Sequence, residues 1–194
     1  SVILDRVSGL WMLCAIGGLG AVMCASVLAP WLKVSTSLFA ALLSMVTLLW
    51  LLLPVAFLYG LRKGWWALPG AWLEPIRAAA NSPDFVKHLL LQSGSSAVVQ
   101  LFSAGALACG AAALGISLEL QTWAFAIAPV FLMAALPVSV GGWGTREAAA
   151  VASLSPFGVP ATIAVGIGLL YGVFALCQGA LGALALGLPS KTQA

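Results

Sequence analysis

The sequence predicts an all-α polytopic membrane protein: a helical bundle containing a re-entrant helical hairpin. Three observations carry this. First, 62% of the 194 residues are hydrophobic and only 7% are charged, against about 25% charged in soluble domains. Second, the apolar runs are long and continuous rather than short and alternating. That is the mark of helices, not barrel strands, and at roughly 20 residues per span they amount to about five membrane segments. Third, the stretch Pro137-Val-Ser-Val-Gly-Gly-Trp-Gly-Thr-Arg-Glu147 interrupts apolar sequence that could otherwise lie wholly in a bilayer. The 194 residues read as a single transmembrane domain.

The first span covers residues 7–29. Asp5 and Arg6 precede it, as an interfacial anchor or as a pair reaching inward to a polar pocket. Gly17, Gly18, Gly20 and Ala21 give it a small-residue face for close helix packing. Pro30, Trp31 and Lys33 form the following turn. The second span, 35–59, is leucine-rich and contains Pro54. A proline there kinks the helix and frees a carbonyl that neighbours must satisfy.

Residues 60–87 form the one long polar connection. Arg62, Lys63, Arg77 and Lys87 lie in it, and the positive-inside rule makes it cytoplasmic. Trp65, Trp66 and Trp72 fit an interfacial belt, and 71–80 reads as a short helix on the membrane surface. The third span, 88–114, is the most polar. Gln92, Ser96, Gln100 and Ser103 recur at spacings of four, four and three, which places them on one helical face. That face either glues the bundle through hydrogen bonds or forms one wall of a polar cavity. Residues 116–122, with Glu119, make an external turn.

Two short helices follow, 123–136 and 145–154, on either side of the glycine-rich turn. The first is short for a full crossing. The pair therefore reads as a re-entrant hairpin that enters and leaves on one side. The last span, 161–188, carries five glycines, of which Gly168 and Gly172 have the Gly-x-x-x-Gly spacing of helix packing.

The turn is the candidate site. Gly141, Gly142 and Gly144 permit positive φ and close approach of a second group. Irregular backbone at membrane depth survives only inside protein or beside a wet cavity. Arg146 and Glu147 each cost about 2.5–3.5 kcal/mol there if central and unpaired, so the stretch is a site by default. It is equally consistent with a surface loop and a helix start, with Thr145 as N-cap and Glu147 in the first turn. A helix N-terminus beside an arginine is also an anion site.

Other chemistry finds little support. The net charge is +3, and the few basic residues flank spans, so nothing points to nucleic acid. Cys14, Cys24, Cys109 and Cys177 lie in apolar runs without metal or redox spacing. His88 is the single histidine, the five carboxylates are unpaired, and no nucleotide-binding motif is present. No cofactor, metal site or catalytic constellation is expected, and the chain reads as a non-enzyme. It enters a span almost at once from Ser1, without the features of a signal peptide, so one or more N-terminal helices are expected to be missing.

The turn resembles the signature of the lysylphosphatidylglycerol synthase transmembrane region, the flippase-like domain family. Pro137, Ser139, Gly141, Gly142, Gly144, Arg146 and Glu147 match it. Leu4-Asp5-Arg6 with Gly9 resembles the aspartate–arginine start of a middle helix, and Gly158-Val159 the end of the broken pair. The resemblance covers the whole chain and corresponds to the later part of the family domain. It implies a flippase-like multi-pass protein of the bacterial or archaeal cytoplasmic membrane that binds an anionic or aminoacylated phospholipid, or a polyprenyl-phosphate lipid, and moves it between leaflets, alone, as a homo-oligomer, or with a partner enzyme of lipid synthesis. In some relatives a soluble domain transfers the aminoacyl group; no polar stretch among these 194 residues is long enough for one, so aminoacyl transfer by this stretch is not expected. On this reading Arg146, Glu147, Thr145, Ser139, Gly141, Gly142 and Gly144 hold a lipid headgroup, and Asp5, Arg6, Gln92, Ser96 and Gln100 line its path. The alternatives are a non-catalytic membrane subunit of a lipid-modifying system, or a secondary transporter of a small solute.

Overall fold

A computed structural model describes residues 2–63, 81–82, 84–137 and 139–187, without the side chains of 2–5, 58, 140 and 185–187. The expected surface helix at 71–80 and its tryptophans lie outside these residues, as does the Asp5 side chain. The described chain is helical: α1 (Val2–Met23), α2 (Ala25–Trp31), α3 (Thr36–Arg62), α4 (Phe85–Ala113), α5 (Leu120–Ala135), α6 (Thr145–Leu154) and α7 (Ala161–Gly187). Among the described residues there is no strand, and α1, α3, α4 and α7 are long and apolar enough to cross a membrane.

The first predicted span is two helices. Cys24 leaves helical geometry (φ −88°, ψ 7°) between α1 and α2, but its N–H still reaches the Gly20 carbonyl and its own carbonyl accepts from Val27 and Leu28. The path bends without losing its hydrogen bonds. Lys33, at φ 58°, closes α2. The third span starts at Phe85, three residues before the expected 88, because Asp84 N-caps the helix and its carbonyl takes the His88 N–H.

Small residues set the close contacts of α1. A Cβ on Gly17 would lie 2.3 Å from that of Ala128, and one on Gly20 2.3 Å from the Phe125 nitrogen, so α1 and α5 touch backbone to backbone there. A Cβ on Gly18 would meet Thr47 Oγ1 at 2.7 Å, which brings α3 against the opposite side of α1. Pro54 cannot give an N–H to the Trp50 carbonyl four residues before it. The indole Nε1–H of Trp11 donates to that carbonyl instead, at 2.9 Å, and Trp50 Nε1–H returns the bond to the Trp11 carbonyl at 3.1 Å. The proline's freed acceptor is thus satisfied from the neighbouring helix, and α1 and α3 are held in register.

The core surrounds α5. Trp123, Ala126, Ile127 and Val130 are buried against Leu13 of α1, Leu107 of α4, Leu154 of α6 and Ile167 of α7. Helix α3 and the second half of α7 present leucine, valine and phenylalanine outward, as lipid-facing surfaces do. Helices α5 and α6 form a hairpin. Its two feet meet where the Phe125 and Phe157 rings lie 6.0 Å apart, tilted to each other, beside Cys24 and Leu28 at the junction of α1 and α2. Its tip lies beside Gly172, eleven residues into α7.

Candidate functional site

Two polar regions stand out, and α5 separates them. The first is the hairpin tip. Gly141, Gly142 and Gly144 adopt φ of 63°, 79° and 86°, conformations that residues with a Cβ rarely take. Gly142 is doubly constrained: a Cβ there would meet the Ala134 backbone at 3.0 Å. The N-cap of α6 is Gly144, not Thr145. Glu147 makes the difference, for its carboxylate turns back to accept the Gly144 N–H. Thr145 is then the first helical residue. Its hydroxyl donates to the Gly142 carbonyl at 3.1 Å, which leaves Ser139 as the donor in their 2.9 Å contact.

Arg146 and Glu147 are 3% and 6% exposed. Arg146 Nη2 donates to the Gly141 carbonyl at 3.0 Å, its Nε lies 3.7 Å from Glu147 Oε1, and the guanidinium sits over the Trp143 ring at 5.3 Å. Nε and Oε1 have no hydrogen-bond partner, so they face each other as an ion pair. The other side of the pair is closed by α7. A Cβ on Gly172 would come 2.8 Å from Arg146 Nη1, and one on Gly168 would come 3.2 Å from Glu147 Cγ. The Gly-x-x-x-Gly spacing therefore seats a buried ion pair against α7; the spacing alone indicated packing but not its object.

The second region is a cleft of about 520 Å³ between α1, α4 and α5. Arg6, Ser95, Ser96 and Gln100 supply its polar lining; Leu10, Leu13, Val99 and Phe131 are among its apolar walls. Arg6 is exposed, and no carboxylate is among the described lining residues. Gln100 Nε2 reaches across to the Gly9 carbonyl at 3.5 Å.

Three of the five expected cavity residues, Arg6, Ser96 and Gln100, thus share one cleft. Gln92 is on α4 but outside the lining; its carbonyl receives the Ser95 hydroxyl. The polar face of α4 is divided: Ser96 and Gln100 line the cleft, while Ser103 bonds within its own helix to Val99. None of the seven turn residues lines the cleft. The structure therefore does not unite Arg146 and Glu147 with Arg6. The apolar lining went unrecognised in sequence, since Leu10 and Val99 read as ordinary membrane residues. Phe131 is the partition: one side lines the cleft, and its ring meets Tyr171 of α7 at 4.9 Å, next to the Gly172 that seats Arg146.

Spans of membrane length, a glycine-lined hairpin and a polar cleft walled by apolar helices define a multi-pass α-helical membrane protein. The chain belongs to the lysylphosphatidylglycerol synthase TM region family, whose sequence profile matches residues 1–182. This relates it to the membrane domains of lipid synthesis and flippase-like proteins. No curated protein and no solved structure matches it.

Proposed function

We propose that this chain binds a phospholipid or polyprenyl-phosphate lipid by its headgroup phosphate and moves it between the leaflets of a bacterial or archaeal cytoplasmic membrane. One observation carries the reading: an accessible arginine, two serines and a glutamine share a cleft with apolar walls. A guanidinium offers a planar fork to phosphate oxygens. The serine hydroxyls and glutamine amide offer neutral donors, and Leu10, Val99 and Phe131 suit the start of an acyl or prenyl chain. The headgroup moves through the cleft while its tails stay in lipid. The Arg146–Glu147 pair acts on this process indirectly. It holds the hairpin tip on α7 and so holds Phe131 and Ala135 in place as the cleft's wall. The hairpin, with both feet at one end of the bundle, is re-entrant in this reading, and residues 60–87 are cytoplasmic. The chain performs no chemistry itself, and an enzyme of lipid synthesis supplies or consumes the lipid.

The test is leaflet transfer of acyl-labelled anionic phospholipid in proteoliposomes, comparing wild type, Arg6→Ala and protein-free vesicles. Transfer above protein-free vesicles that falls about tenfold or more in Arg6→Ala is expected, the scale of a charge-assisted hydrogen bond of about 1.5–3 kcal/mol. No transfer by folded wild-type protein would reject the translocase in favour of a non-catalytic subunit of a lipid-modifying system. Transfer unaffected by Arg6→Ala would reject the cleft as the site.

A further inference from the structure

A second cleft, of about 300 Å³, lies on the same three helices. Ile16 and Met23 of α1, Leu101 and Ala104 of α4, and Ala124 of α5 line it, together with Glu119 at the α5 N-cap. These residues continue the first cleft. On α1 the lining passes from Arg6–Leu13 to Ile16–Met23, on α4 from Ser95–Gln100 to Leu101–Ala104, and on α5 it runs back from Ala135 and Phe131 to Ala124 and Glu119. The two clefts follow one another along the groove-like seam of the same three helices, with no lining residue in common. From Arg6 to Met23, α1 rises about 25 Å at ~1.5 Å per residue, close to the roughly 30 Å of bilayer hydrocarbon. The groove thus has a guanidinium near one membrane face and a carboxylate near the other.

Glu119 is exposed. Its carboxylate accepts a hydrogen bond from Gln121 Nε2 but makes no capping bond to α5, and among the described residues no basic side chain pairs with it. Apart from Gln121, the lining around it is apolar, from Met23, Leu101 and Leu120 among others. An open carboxylate against apolar walls suits an ammonium group carried by an amphiphile.

We propose that the Glu119 end of the groove is a second headgroup station, one that takes the ammonium of a zwitterionic phospholipid. The proposal rests on the lipid reading above and narrows it. A purely anionic headgroup is attracted at Arg6 and repelled at Glu119. A headgroup with both phosphate and amine finds an opposite charge at each end. The groove therefore favours zwitterionic over anionic headgroups. The preference is set by an exposed charge, so it is modest, about fivefold.

The experiment uses two probes in vesicles containing the full chain. Each is a phospholipid with a photoreactive diazirine near the top of one acyl chain; one has an ethanolamine headgroup and the other a glycerol headgroup. Labelled peptides are mapped after irradiation, in wild type, Glu119→Gln and Glu119→Lys. The expected result is about fivefold more labelling of residues 116–124 by the ethanolamine probe. The preference disappears in Glu119→Gln and inverts in Glu119→Lys, while labelling around Ser95 and Ser96 by the glycerol probe stays unchanged. Equal labelling of 116–124 by both probes in wild type, or a preference that survives Glu119→Gln, overturns the proposal. Because labelling reads binding rather than transfer, it decides this point even where the leaflet-transfer test fails. Glu119 is exposed and makes no cap bond, so both variants are expected to fold. Unchanged labelling at Ser95 and Ser96 verifies it.

Discussion

Arg146 and Arg6 make opposite use of the same chemistry. Arg146 lies in the loudest stretch of the sequence, among three glycines and a tryptophan, and is 3% exposed, with a carbonyl, a carboxylate and an aromatic face taken up around it. Arg6 lies on an unremarkable helix and opens into a cleft with serines and a glutamine. The difference teaches that a charge within a membrane protein has two ways to be tolerated. It can be sealed with partners, and then it specifies architecture. It can be kept at a wet opening, and then it remains free to meet a ligand. A motif marks the first kind more clearly, because sealing a charge demands special backbone.

This contrast can be broken most directly through stability. Removing one partner of a buried ion pair leaves the other uncompensated and costs about 3–5 kcal/mol. Glu147→Ala and Arg146→Ala are therefore expected to lower unfolding stability in detergent micelles by that amount, read by denaturant titration. Arg6→Ala, at an exposed site, should change it by no more than about 0.5 kcal/mol while abolishing most lipid transfer. Equal destabilisation by Arg6→Ala and Arg146→Ala would dissolve the distinction.

The α7 seat gives a smaller effect. Gly172→Ala pushes a methyl to 2.8 Å from Arg146 Nη1, an overpacking change worth about 1–3 kcal/mol. Gly179→Ala, on the same helix with open space around it, serves as the matched control and should be neutral or slightly stabilising. The same scan in micelles distinguishes them.

The smallest effect concerns the contact of α1 with α3. Trp11→Phe strips the indole donor from the Trp50 carbonyl that Pro54 leaves open, at a cost of about 1 kcal/mol. In a Pro54→Ala background the helix supplies its own N–H, so the Trp11→Phe penalty should shrink. A double-mutant cycle measures this coupling, and additive penalties would show that the indole and the proline act separately.

Much of this was legible because bilayers simplify the problem. The end of α5 near Pro137, the α6 boundaries at 145–154 and the single polar face of α4 follow from local backbone preference and from the need to hide polar groups. Thr145 was misplaced as the N-cap because hydroxyls usually hold that position. Here a carboxylate three residues on caps the turn and lets glycine take its place. The bend at Cys24 had no local cause in composition, since nothing there lacks an N–H or demands positive φ. The separation of Arg146 from Arg6 was illegible for a deeper reason. Both residues are compatible with a pocket, and only the placement of α5 and its Phe131 between them decides which one faces it. Helix spacing indicates which residues share a face, but not which face meets which neighbour.

The hairpin tip also bears on how such a protein enters its membrane. The hydrogen bonds and ion contact of the Arg146 and Glu147 side chains are made between Gly141 and Glu147, so none waits for a distant part of the chain. Contacts this local close early and quickly. The tip can form as an electrically neutral knot while the chain is still being threaded, and can pass into lipid without presenting net charge. Helix α7, emerging after the tip, adds the glycine surface that closes over it.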